Sequence, residues 1–152
     1  MSSAIPRVLV VDDDPDIRTI VGLNLGLAGM TTGEASNGEE AIEMIESDDW
    51  DACILDLAMP KADGMTALRE LKGRGLLDDL VVVVLSATSS PSRAIEGMKL
   101  GAHAHLTKPF SPAAVANLVQ ELIDLPPEER QKRRLGFLER AGELQRLGIE
   151  TV

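Results

Sequence analysis

Apolar residues along this chain follow two rhythms. Short runs rich in β-branched residues, Val8-Leu-Val-Val11, Cys53-Ile-Leu55 and Val81-Val-Val-Val-Leu85, are continuous rather than alternating, the pattern of strands buried on both faces. Between them lie longer stretches with apolar residues at helical spacing. Strands are expected near 7–11, 31–35, 51–55, 81–85 and 104–106. The helix starts are marked by capping chemistry. Asp14-Pro15 opens the first helix, whose Ile17, Ile20, Val21, Leu23, Leu25 and Leu27 supply more than one apolar face before Gly29 stops it. Asn37 and Glu40 have capping-box spacing ahead of the second, and the third runs from Gly64 to Leu71. Ser90-Pro91 and Ser111-Pro112 cap the fourth and fifth, the latter continuing through Ile123. These are five βα units in about 125 residues, the signature of an α/β domain with a parallel sheet covered by helices on both faces.

Leu125-Pro126-Pro127 breaks that rhythm, so the domain is expected to span 1–125 and an extension 126–152. Glu128 to Gly148 is charged and helix-like, with a loose stripe of Phe137, Leu138, Ala141, Leu144 and Leu147 interrupted by Gly136 and Gly142. Heptad spacing is not sustained. Two readings stand: a sixth helix that packs on its own domain or frays, or a dimerisation or relay helix.

Composition narrows the class. At 152 residues and 44% hydrophobic content the chain supports one domain with a real core. The net charge of −10, from 25 acids against 15 bases, argues against contact with a nucleic-acid backbone. Cys53 is the only cysteine, which excludes an internal disulfide or a cysteine-rich zinc site and fits a reduced compartment. The N-terminus lacks a signal-peptide pattern and the apolar runs are strand-length, so a cytoplasmic chain without membrane association is expected.

The chemistry collects at the strand ends. In an open parallel sheet, ligands sit at the carboxyl ends of the strands. Here those ends hold Asp12 and Asp13, then Asp56, then Ser86, with Lys108 just after the last strand. Any one of them alone reads as a turn or capping residue. Together, three carboxylates and one ammonium leave two uncompensated negative charges, which a divalent cation would neutralise. Oxygen donors with no thiol or imidazole among them suit Mg²⁺ better than Zn²⁺. A metal-bridged carboxylate paired with a lysine is chemically able to act as a nucleophile toward a phosphoryl group.

These residues resemble the receiver domain of two-component response regulators, the chemotaxis-regulator type included. The likeness rests on Val10-Val-Asp-Asp-Asp14, Asp56-Leu-Ala-Met-Pro60 with Asp63-Gly64, Leu85-Ser-Ala87, and Gly101-Ala102 leading into Leu106-Thr-Lys-Pro-Phe110, and covers residues 6–124. It implies a flavodoxin-like, doubly wound five-stranded sheet of order 2-1-3-4-5 with five helices, here followed by a C-terminal helical extension. It makes Asp56 the phosphoacceptor. Asp13 is implied as a direct Mg²⁺ ligand and Asp12 as one acting mainly through water, with Asp56 and the backbone carbonyl of Ala58 completing the set. Lys108 would pair with phosphoryl oxygens, its bond to Pro109 would be cis, and Ser86 would donate its hydroxyl and shift toward the phosphoryl group. Asp14 reads instead as a helix cap.

One position departs from the family. Where members commonly carry an aromatic switch residue, three before the lysine, this chain has His105. Its near-neutral pKa would make such a switch pH-sensitive, and the competing reading is a surface histidine on an edge strand. No other aromatic stands out as a substitute, and a metal site made by His103 and His105 lacks nearby acids. The fourth helix and fifth strand, with Arg93, Met98 and Lys99, are implied as the signalling face, Met98 reading equally as core. Ile17, Ile20 and Val21 fall on the side where a kinase docks.

The expected function is therefore a switch phosphorylated by a sensor histidine kinase or phosphotransfer protein, acting on a downstream protein of unknown identity and turning over no separate substrate. A homodimer through the fourth-helix and fifth-strand face or the C-terminal helix is an open alternative. So is a phosphorylation-independent interaction module. A Mg²⁺-dependent phosphohydrolase working through an aspartyl phosphate would need a second carboxylate two residues after Asp56, where Ala58 stands. The tail is too short for an effector domain, so the chain is expected to be a single-domain regulator or a receiver excised from a longer protein.

Overall fold

The structure, a computed structural model, describes residues 4–59, 64–87 and 91–147. Pro60, Asp63, Ser90 and the side chain of Leu144, which entered the sequence reading, lie outside the described residues. The elements follow the order β1 (Arg7–Val11), α1 (Pro15–Leu27), β2 (Thr31–Ala35), α2 (Gly38–Ser47), β3 (Ala52–Asp56), α3 (Gly64–Gly73), β4 (Val81–Ala87), α4 (Pro91–Leu100), β5 (Ala104–Lys108), α5 (Pro112–Asp124) and α6 (Pro127–Arg146). The strands form one parallel sheet of order β2-β1-β3-β4-β5. After β2 the chain returns past β1 to lay β3 on its other side, so the strand order reverses between β1 and β3 and leaves a crevice at their carboxyl ends.

Two cores flank the sheet, and alternation along each strand sorts residues between them. Leu9, Val11, Cys53, Leu55, Val82 and Val84 face α2, α3 and α4. Val8, Val10, Ile54, Val83 and Leu85 face α1 and α5 through Val21, Leu25, Val115 and Val119. Burial on both sides explains the unbroken apolar runs. Burial also holds the Cys53 thiol up at about 12, so it is inert at neutral pH.

The helix starts work through local hydrogen bonds. Asp14 caps α1 by accepting the Asp16 N–H at 2.9 Å, Asn37 caps α2 by accepting the Glu40 N–H at 2.9 Å, and Ser111 caps α5 through the Ala114 N–H at 3.3 Å. The Glu40 carboxylate reaches back to Ser36 rather than to the Asn37 backbone, accepting from its N–H at 3.3 Å and its hydroxyl at 2.8 Å. The last three strands extend past the apolar runs that foretold them. Parallel pairing carries β3 to Asp56 opposite Leu85, and β4 to Ala87 opposite Lys108, so polar site residues belong to the ladder itself.

The tail forms α6, which turns at Leu125-Pro126 and packs on its own domain. It is held largely by arginines. Arg130 donates to the Leu122 and Leu125 carbonyls at the end of α5 at 3.1 and 2.8 Å, and Arg133 pairs with Glu121 at 2.7 Å. Arg134 donates to the Met98 and Lys99 carbonyls at the end of α4 at 2.7 and 3.1 Å. Such contacts satisfy carbonyls that a helix terminus leaves open and complement its negative dipole end.

Under α6, His103 accepts the Val82 N–H on Nδ1 at 3.1 Å. Burial, reinforced by the positive charges of Arg130 and Arg134, depresses its pKa to about 4. A histidine whose folded pKa lies below its unfolded value of 6.5 takes up a proton on unfolding, so it costs the fold stability as pH falls from 6.5 toward 4. His103→Gln is expected to flatten the decline of urea-unfolding stability over that window by on the order of 1 kcal/mol, the partial exposure of the ring being discounted.

Candidate functional site

The crevice between β1 and β3 gathers the acids that the strand ends promised. Asp12 follows β1 and is fully buried, Asp56 ends β3 with 2% exposure, and Asp13 beside them is exposed. One carboxylate oxygen from each of the three lies within 4.8 Å of the other two. Ser86, 3% exposed, sits on β4 one residue beyond the partner of Asp56. Lys108, at the end of β5, reaches back across β4 and binds both buried acids, donating to Asp56 Oδ2 at 3.0 Å and Asp12 Oδ2 at 3.3 Å. The Lys108–Pro109 peptide is cis.

Each buried carboxylate is thus bonded on both oxygens. Asp12 Oδ1 accepts the Asp14 N–H at 3.0 Å, and Asp56 Oδ1 accepts the Ala58 N–H at 3.0 Å. These bonds come from turns that immediately follow the strands, so backbone geometry sets the aim of each side chain. Burial pushes the Asp12 pKa up to about 6, the charge of Asp56 adds to this, and the Asp14 amide and Lys108 oppose it. Burial works against the Lys108 ammonium, but its bond to Asp56 and the two carboxylate charges outweigh that and raise its pKa.

The hard oxygen donors of Asp12, Asp13 and Asp56 converge on one small volume with exposed Ala58 beside it, and this donor chemistry fits a divalent cation such as Mg²⁺. Gly64 is required next to the site, because a Cβ there would overlap the backbone carbonyl oxygen of Asp56. No grouping of the two histidines with acids at metal-ligand distances occurs among the described residues.

Several supports were not legible in the sequence. Arg18 donates to the Asp12 carbonyl at 2.6 Å while paired with Glu34, pinning the turn after β1. Arg93, read as a surface contact, instead turns inward and donates to the Leu57 carbonyl at 2.5 Å. Met98 is core, at 2% exposure, and Lys99 is exposed. His105 is not a surface residue. It is half-buried under α6, its ring edge-on to Phe137 at 5.0 Å, with Nδ1 buried and lacking a hydrogen-bond partner among the described residues. Burial lowers its pKa. The aromatic neighbour comes from the tail, a pairing that no local spacing announces.

The sheet order, the acid cluster and the bridging lysine coincide with a match of residues 8–120 to the family model for the response regulator receiver domain. The chain belongs to that family. Response regulator MprA of Mycobacterium ulcerans is 44% identical over 105 residues, which cover 69% of this chain and 44% of that protein. MprA of Mycobacterium tuberculosis is 43% identical over the same length. The chain therefore spans under half the length of these curated relatives. Among solved structures, the receiver domain of the Francisella response regulator 1452 superposes with a TM-score of 0.72 at 35% identity, covering 78% of this chain and 96% of that one. A putative response regulator from Chloroflexus aurantiacus gives 0.74 at 31%, covering 80% and 100%. The family match runs from β1 into α5, and α6 lies beyond it. No described helix is long and apolar enough to cross a membrane.

Among the described residues, Lys108 is the counter-charge that touches both buried acids of this receiver. Replacing it with methionine is expected to destabilise the metal-free protein by roughly 1–3 kcal/mol at pH 8, since breaking a buried pair leaves uncompensated charge. Urea unfolding in EDTA measures the loss, and added Mg²⁺ is expected to restore part of it.

Proposed function

We propose that this receiver is a Mg²⁺-dependent switch that accepts a phosphoryl group on Asp56 from a sensor histidine kinase or phosphotransfer protein. The observation that carries the reading is the held geometry of Asp56, a buried carboxylate bonded by Lys108 and Ala58 within 4.8 Å reach of two further acids. In transfer from a phosphohistidine, an Asp56 oxygen attacks phosphorus, the P–N bond breaks, and its electron pair leaves with the imidazole, which takes up a proton. In this reading Lys108 and the Ala58 N–H move their hydrogen bonds from Asp56 to phosphoryl oxygens, the buried Ser86 hydroxyl donates to the group, and the Lys108–Asp12 pair balances the local charge. Mg²⁺, held by Asp12, Asp13, Asp56 and the Ala58 carbonyl, would neutralise charge on the transferring group.

Ala58 is also what separates this reading from a hydrolase, since the position offers no acid or base to activate water. The chain then acts on itself and turns over no separate substrate. Output passes through contact with another protein. For the donor, α1 offers a surface: Ile20, Leu23 and Leu27 are 48%, 62% and 79% exposed at helical spacing, next to half-buried Ile17 near the acid cluster. Val21, by contrast, is in the core.

Incubation with acetyl phosphate and Mg²⁺ is expected to add one phosphoryl mass to the wild type and none to Asp56→Asn. Equal labelling of the two, or none of the wild type, would overturn the proposal. Ile20→Asp is expected to slow transfer from the cognate histidine donor roughly tenfold, the effect of a lost contact worth about 1.4 kcal/mol, while labelling by acetyl phosphate is unchanged.

A further inference from the structure

The α6 helix does not continue the receiver pattern, yet hydrogen bonds, an ion pair and a ring contact tie it to α4, β5 and α5. We propose that the face formed by these three elements is a helix-binding surface whose resident occupant is α6, and that a phosphoryl group on Asp56 releases α6 from it. The release half rests on the reading of Asp56 given above.

The seat is specific. The carbonyls of Met98, which also accepts the Gly101 N–H at 3.2 Å, and Lys99 present the negative pole at the end of α4 and take the Arg134 guanidinium. Three residues on, Phe137 lies against His105 on β5, beside the free edge of the sheet. Charge favours the arrangement, because α6 carries six of the fifteen basic residues of a chain whose net charge is −10. An occupant that replaced α6 would share its chemistry, a basic helix with an arginine and, three positions on, an aromatic.

The hold is nonetheless weak, as a detachable element requires. Ala141 is the only fully buried residue among those described in α6, and Leu135 stays 52% exposed. Gly136 and Gly142 each lower helix propensity relative to alanine. Between α6 and the domain a cavity of about 470 Å³ remains, floored by Leu106, Leu118 and Leu122.

Two elements of the seat are also rooted in the acid site. The first turn of α4 is tied through Arg93 to the Leu57 carbonyl, next to Asp56, while its last turn holds Arg134. The end of β5 carries Lys108, bonded to Asp56, while His105 three residues earlier carries Phe137. Adding a phosphoryl group forces Lys108 and the Leu57–Ala58 turn to find new partners. Both ends of the α4 strut and of β5 feel that change, and α6 binds the ends away from the site. A ligand shifts such an equilibrium only by its differential affinity for the two states, and the effect is reciprocal.

Hydrogen exchange of the full chain, with and without Mg²⁺ and beryllofluoride as the phosphoryl analogue, tests this. Segment 127–147 is expected to exchange at least fivefold faster when the analogue is bound, while 7–35 does not accelerate. Protection around Asp56 without any change in α6 would overturn the release. No protection around Asp56 would overturn the phosphoacceptor reading, and the release with it. The seat is tested separately by Arg134→Ala and Phe137→Ala, expected to speed α6 exchange without the analogue and to tighten beryllofluoride binding severalfold. Unaltered α6 exchange in both variants, or α6 that is already unprotected in the wild type, would overturn the seat itself.

Discussion

The reach of Lys108 across the carboxyl edge of the sheet is the contact on which the rest of this molecule turns. The lysine stands on the outermost strand, yet its ammonium lies between carboxylates that belong to the two central ones. Two acids buried to within 2% of full enclosure would repel each other and forfeit their hydration without it. The same contact ties β5 to the centre of the sheet across β4, whose Ser86 and Ala87 pair with Thr107 and Lys108. A group that must abandon one partner to greet another is well placed to convert chemistry at Asp56 into movement at β5, which is the basis of the function proposed for this receiver.

Around that contact the backbone forms a cradle. Amides of Asp14 and Ala58 aim the two carboxylates, and guanidiniums of Arg18 and Arg93 hold the carbonyls of the turns that supply those amides. Side chains from α1 and α4 therefore brace turns that follow β1 and β3. Gly64 completes the arrangement by leaving room for the Asp56 carbonyl, where any larger residue would collide. The acids are held in place because their neighbours are bonded on both sides, and a fixed carboxylate is what the role proposed for Asp56 requires.

The α6 helix is built on different terms. Arginine-to-carbonyl bonds hold it, with Phe137 and Leu138 packed at the margin of the core and Ala141 buried, whereas the receiver elements rely on fully enclosed aliphatic side chains. Partly buried hydrogen bonds of this kind contribute modestly, because folding exchanges them for bonds to water. A domain with a firm core and a lightly seated tail has two levels of stability, and the lower one covers the face made by α4, β5 and α5.

Much of this could be read from residue order alone. Continuous apolar runs announced buried parallel strands, Asp14-Pro15, Asn37 and Ser111 announced helix starts, and acids at successive strand ends announced a common site, because each signal is carried by neighbours in the chain. The family likeness of Asp12, Asp13, Asp56, Ser86 and Lys108 is of the same local kind. Contacts between residues far apart in sequence carried no such mark. Arg93 gave no sign that it would fold inward to Leu57, and a lone Phe137 in a charged tail gave none that it would meet His105 on the fifth strand. Periodicity tells which side of an element is apolar, whereas the choice of which element covers it depends on the closure of the whole sheet and on where α5 delivers the chain. That closure seats the tail as a helix on its own domain.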